Sequence, residues 1–241
     1  MPFPPNPDFG TGAARRVIRL AKPEDGIVEG HLVDNYHEMR IRLRHADGVI
    51  TGCEGDMIRF PTTLCPGAAL VVRELIGMRL DADLNDRMRM RRNCTHLYDL
   101  AALAAQHARR PQTARIYEAI VPDDSGLPVT ISVTCDDAIV HAWTTLAGQI
   151  IAPQSLKGLP LLRGFTRWAS AMLTGDALEA AMILGKTCFI ATVRPFAPES
   201  SAGQPVRENV AMVGACYAYA PERMATARYT DQIGERLGGH I

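Results

Sequence analysis

Chemistry in this 241-residue chain is most concentrated around His37, which Asp34, Tyr36 and Glu38 flank. An imidazole beside a phenol and two carboxylates can take or give a proton, and a neighbouring carboxylate can orient the ring. Ordinary turn chemistry accounts for the same residues equally well, since a short acidic side chain near a strand end also bonds local N–H groups. Cys65 and Cys94 each stand at the expected start of a helix, where the macrodipole favours thiolate and lowers the thiol pKa, and His96 follows closely. Packing is the alternative there, because Cys is among the residue types most often buried. Arg87, Arg89, Arg91 and Arg92 could clamp a carboxylate or phosphate, yet Met88 and Met90 alternate with them as on a solvated amphipathic edge. In the second half, Trp143, Phe165 and Trp168 offer either core packing or stacking walls for an aromatic molecule. Arg163 and Arg167, expected on one helix face, would meet an anionic group or pair with Asp176 or Glu179. His141 lies on an alternating strand and reads as structural.

The whole chain is electrically neutral, with 26 basic and 26 acidic side chains, so it carries no net field to gather nucleic acid or an anionic membrane. At 47% hydrophobic and 22% charged residues it reads as globular rather than disordered. Its apolar runs fall short of the roughly 20 residues that a bilayer-spanning helix needs. Residues 1–12 are rich in Pro and Gly and lack the basic-then-apolar order of a signal peptide, which predicts a cytoplasmic protein. The six cysteines are sparse and irregularly spaced, and read as thiols rather than as a disulfide framework.

Secondary-structure patterns divide the chain into a flexible N-terminus at 1–14, a strand, hairpin and helix subregion at 15–110, and a second α+β subregion at 111–241. Residues 15–20 and 27–33 read as strands. Met39, Ile41 and Leu43 alternate with Arg40, Arg42 and Arg44, so the hairpin at 39–60 is expected to have one apolar face and one wet, basic face. Short helices are expected at 68–76 and 81–90, and a stronger one at 95–107, where Leu97, Leu100, Ala101 and Ala104 form a stripe. Strands at 115–121, 129–135 and 139–146 follow, then helices at 163–173 and 176–185. Late strands are expected at 187–193 and 210–219, and a terminal helix at 221–237. The fold class is therefore α+β, an antiparallel sheet with helices on one side. The segments 39–50 and 129–140 can be laid over one another, which leaves open a degenerate duplication.

Several of these residues together resemble a bacterial family known as domain of unknown function 2889. They are His37-Glu38-Met39, Cys65-Pro66, Gly77 and Asn93-Cys94-Thr95-His96-Leu97, continuing through Gly164-Phe165-Thr166-Arg167-Trp168-Ala169 and Gly175-Asp176. A more distant likeness, over 36–108, is to iron-sulfur cluster scaffold proteins. It lies in the order of a ligand at a strand, a hairpin, a Cys before a helix ended by Gly, and a Cys/His pair opening the next helix. The likeness implies that His37, Cys65, Cys94 and His96 converge as metal ligands. His37 and Glu38 replace the scaffold's Cys and Gly-Asp, and Thr95 is inserted in the last pair, which points to a single ion rather than a cluster. Thiolate and imidazole donors suit Zn2+ or Fe2+, with bonds of about 2.0 to 2.3 Å.

The first resemblance implies a small-molecule catabolic enzyme. The reaction expected is a lyase step, loss of formaldehyde or carbon dioxide from a lignin-derived or phenylpropanoid aromatic, metal-assisted in one version. His37, Tyr36 and Glu38 are the catalytic candidates, and Arg163, Arg167, Trp168 and Trp143 the substrate-binding ones. No nucleotide-binding motif is present, so no nucleotide cofactor is expected. The alternative is a non-enzymatic metal or iron-sulfur carrier. Partners reduce to a small aromatic substrate, without nucleic acid or membrane, and with self-association as a homodimer left open.

Overall fold

The computed structural model describes residues 3–84 and 87–232. Its eight strands are β1 (Ala13–Ala21), β2 (Ile27–Asp34), β3 (Glu38–Ala46), β4 (Val49–Arg59), β5 (Ala114–Pro122), β6 (Val129–Cys135), β7 (Ala138–Leu146) and β8 (Gln149–Ala152). They form one open antiparallel sheet in the order β4-β3-β2-β1-β5-β6-β7-β8, and the class is α+β. The helices are α1 (Ala68–Val71), α2 (Arg87–Arg92), α3 (Thr95–Ala108), α4 (Phe165–Met172), α5 (Gly175–Ala191) and α6 (Pro221–Met224). The chain divides into two compact units. The first comprises Ile18–Arg115 with the described parts of Met1–Pro4 and Pro198–Ile241, and the second Pro5–Val17 with Ile116–Ala197.

In the first unit, alternation decides which face of the sheet is covered. Met39, Ile41 and Leu43 of β3 are buried with Val28 and Leu32 of β2, and α3 packs over both strands through Leu97, Leu100, Ala101 and Ala104. Two glycines let that helix come close: a Cβ on Gly55 would sit 2.7 Å from Leu97, and one on Gly30 would sit 3.1 Å from Leu100. Asp47 and Gly48, both at positive φ, turn β3 into β4. The opposite face is not the basic surface expected from the sequence. Register places Glu29 and Glu54 on either side of Arg42. Arg42 pairs with Glu29 at 3.1 Å and Glu24 at 3.2 Å, and Arg44 with Glu54 at 2.7 Å. Carboxylates on the adjoining strands and on the 24–26 turn therefore answer the arginines of β3.

Other departures have local causes. Of the helix expected at 81–90, residues 81–84 are not helical: Arg79 grips the carboxylate of Asp81 at 2.8 and 2.9 Å and the Ala82 N–H closes a turn onto Arg79, while residues 87–90 are helical within α2. Residues 85–86 of that expectation lie outside the described residues. In the second unit the strand expected at 187–193 is instead the last part of α5. Ala180, Ala181, Ile183, Leu184, Thr187, Cys188 and Ile190 are buried at helical spacing, and the Thr187 hydroxyl donates to the Ile183 carbonyl at 2.9 Å, one turn back. The strand expected at 210–219 is two short 3-10 turns, Val210–Met212 and Tyr217–Tyr219, separated at Gly214. The terminal helix ends at Met224, and residues 233–237 of its expected span lie outside the described residues. β8 had no counterpart in the sequence reading. No described helix is long and apolar enough to cross a membrane.

Candidate metal centre

The turn between β2 and β3 builds the centre. Asp34 ends β2 with no exposed surface, and its Oδ1 accepts three hydrogen bonds of 2.9 Å: from the backbone N–H of Tyr36, the backbone N–H of His37 and the His37 ring at Nδ1. The Asp34 N–H donates to the His37 carbonyl at 2.8 Å, closing the turn from the other side. One carboxylate thus fixes both the backbone and the ring of His37. With a proton on Nδ1, the remaining nitrogen, Nε2, is left as an acceptor.

The partner ring comes from α3. Its first turn carries His96, and the close seating of Leu97 on Gly55 brings that turn down onto the sheet. The His37 and His96 rings lie 4.1 Å apart between centroids, tilted by 31°. One ligand atom each from Asp34, His37 and His96 falls within 4.8 Å of the other two. Among the described residues, these three are the set of His, Cys, Asp or Glu side chains close enough to share an ion. Two imidazoles and a carboxylate suit Zn2+ or Fe2+ and leave coordination positions open.

Of the four ligands implied by the likeness to scaffold proteins, His37 and His96 meet. Cys65 and Cys94 are not in the group, and Asp34 supplies the third donor. The expectation of low thiol pKa values is overturned. Burial pushes the Cys65 thiol from an ordinary 9.0 up to about 11, against the smaller opposing effect of its 3.2 Å hydrogen bond with Thr62. Burial pushes Cys94 up further, although backbone N–H groups of His96 and Leu97 face it. Cys65 opens a 3-10 turn that runs into the four-residue α1, and its burial outweighs what a helix start of that kind offers a thiolate. Both thiols are therefore protonated near neutral pH. Because the folded pKa of Cys65 is raised, its contribution to stability is complete below pH 9 and is lost as the pH rises toward about 11. The urea midpoint is expected to fall across that window by less in Cys65→Ala than in the native chain, and identical profiles would contradict this account.

The remaining candidates have other neighbours. Tyr36 is buried, and Glu38 Oε1 lies 3.1 Å from His31 Nε2. Trp143, Phe165 and Trp168 belong to the second unit, where all three are buried. Trp168 stacks edge-on to Phe165 at 4.9 Å, lies 5.7 Å from Trp143 and donates its indole N–H to the Pro160 carbonyl at 2.9 Å. That is core packing. Arg163 and Arg167 are exposed, and Arg163 precedes α4 rather than sharing its face. His141 donates from Nε2 to the Ala177 carbonyl at 2.7 Å, a structural contact.

The residue missed by the sequence reading is Arg59, the buried end of β4. Its guanidinium donates to the main-chain carbonyls of Asp34, Asn35 and His37, at 2.7 Å to Asn35 and 3.2 Å to His37. Nothing in the local sequence of β4 marks it, because its partners are 22 to 25 residues away. Asp34 carries a usable signal: an Asp where a strand pattern ends is a residue whose side chain bonds the backbone N–H groups just ahead of it in a turn. No curated protein matches the chain. The stretch 164–176 quoted for the family likeness lies outside the part that is matched: residues 21–110, which hold the whole centre, match the family described as Protein of unknown function (DUF2889).

Proposed function

We propose that the protein is a metal-assisted lyase acting on a hydroxylated, lignin-derived or phenylpropanoid aromatic, with one Zn2+ or Fe2+ ion held by Asp34, His37 and His96. The observation that carries the reading is the convergence of these three donors within 4.8 Å at a turn and a helix start. An ion there supplies Lewis acidity at an alcohol or carboxylate oxygen and lowers the cost of negative charge on it. In the formaldehyde-releasing version the O–H proton of a CH2OH group leaves and the oxygen lone pair becomes the carbonyl of formaldehyde. The C–C bond breaks with its electron pair on the ring-bearing carbon, and that carbon takes up a proton. Loss of carbon dioxide has the same balance, a substituent replaced by hydrogen. Asp34 and Arg59 hold the turn, so the ring of His37 needs little reorganisation to act.

The 2.9 Å bond from His37 Nδ1 to Asp34 favours a second reading, in which His37 without an ion is the general base that takes and returns the proton. A non-enzymatic metal carrier is the third. The test is product analysis: a panel of hydroxymethyl-bearing and carboxyl-bearing phenylpropanoids is incubated with the protein in D2O, with and without Zn2+ or Fe2+. Formaldehyde or carbon dioxide, with one deuterium on the product carbon, is expected, and ion dependence separates the first two readings. Stoichiometric ion binding without turnover anywhere in the panel would replace both by the carrier.

A further inference from the structure

We infer that Arg59 is the positioning residue of this centre, holding the 34–37 turn so that Asp34 and His37 keep the one ring geometry that can bind or react; this rests on the reading of Asp34 and His37 as the functional pair. Arg59 is 6% exposed and spends its donors on carbonyls of residues 34, 35 and 37, the residues that carry the centre. A tight turn has carbonyls that point outward without ladder partners, and a buried carbonyl needs a donor. A planar guanidinium can serve several carbonyls at once in a fixed fork, whereas an ammonium is a compact point charge on a flexible stem. The two sides of the turn are thus pinned separately. Asp34 Oδ1 gathers the N–H groups and the ring of His37, and Arg59 gathers the C=O groups. Without the second pin the carbonyls of Asp34, Asn35 and His37 lose a charged donor, the last keeping the 2.8 Å bond from the Asp34 N–H, so the peptide planes that place the His37 ring are held from one side only.

The experiment reads the ring directly. In 15N-labelled, metal-free protein, the ring nitrogens of His37 are expected to show one tautomer, with the proton on Nδ1 and bonded to Asp34. Arg59→Lys and Arg59→Gln are expected to give mixed tautomers and to weaken Zn2+ binding about 10- to 100-fold, the range for removing a support of a metal ligand. Arg44→Ala, an exposed arginine of β3, should leave both unchanged. If the folded Arg59 variants keep the single tautomer and the native affinity, Arg59 is a structural residue only and the inference falls while the proposed function stands. If the native chain itself lacks the Asp34-bound proton, the inference and the functional reading fall together. Should Arg59→Lys fail to fold, the Gln variant, which retains two amide donors, carries the same comparison.

Discussion

Replacing Asp123 by Ala is expected to destabilise the second unit by about 3–5 kcal/mol, the cost of stranding one member of a buried ion pair. Asp123 and Arg194 are each 5% exposed and meet in a two-point contact of 2.8 and 2.9 Å. The carboxylate does more than neutralise Arg194, for its Oδ2 also accepts the backbone N–H of Gly10 and of Gly12, each at 3.0 Å. Burial alone would raise the Asp123 pKa, but the hydrogen bonds of Arg194, Gly10 and Gly12 outweigh it and hold the carboxyl below its ordinary value. The Ala variant leaves a buried guanidinium and two N–H groups unmatched. Asp123→Asn, which keeps an acceptor and loses the charge, should cost less. Urea unfolding followed at the Trp143 and Trp168 cluster of the same unit checks both, and an Ala variant as stable as the native chain would show that the pair contributes nothing.

The second large effect is at His37. Its replacement by Ala should reduce turnover of any substrate found by about 10²–10⁴-fold, since it removes either a metal ligand or the base. Stability should change far less. The Asp34 carboxylate loses the bond from the His37 ring and keeps the two backbone donors, and a lost hydrogen bond that leaves a buried group partly satisfied costs about 1 kcal/mol. The comparison of activity with thermal unfolding checks this. A His37→Ala chain that folds as the native one does and retains full activity would remove the centre from the reaction.

What could be read in advance depended on whether the information was local. The alternation of Met39, Ile41 and Leu43 with three arginines gave β3 its face, and the apolar stripe from Leu97 to Ala104 gave α3 its seat. Each signal sits within one element. The end of α5 was misread because that helix is buried on most sides, so Thr187, Cys188 and Ile190 lack the polar face that distinguishes a helix from a buried strand. His37 and His96 stood out by residue type, whereas Asp34 read as an orienting neighbour and Arg59 did not stand out at all. Their roles depend on the turn closing and on β4 returning beside it. For the thiols the sequence leaves a helix-start thiolate and a packed thiol both open, because residue type and position do not tell how deeply a side chain is buried, and burial is the larger effect for Cys65 and Cys94.

The centre itself is tested most directly by calorimetric titration of the reduced, metal-free chain with Zn2+, in parallel with His37→Ala, His96→Ala and Cys65→Ala. The native chain and the Cys65 variant should each bind one ion, and the two histidine variants should bind at least about 100-fold more weakly. No binding by the native chain, or binding that survives loss of His96 and disappears with Cys65, would contradict the assignment of Asp34, His37 and His96 as the metal centre.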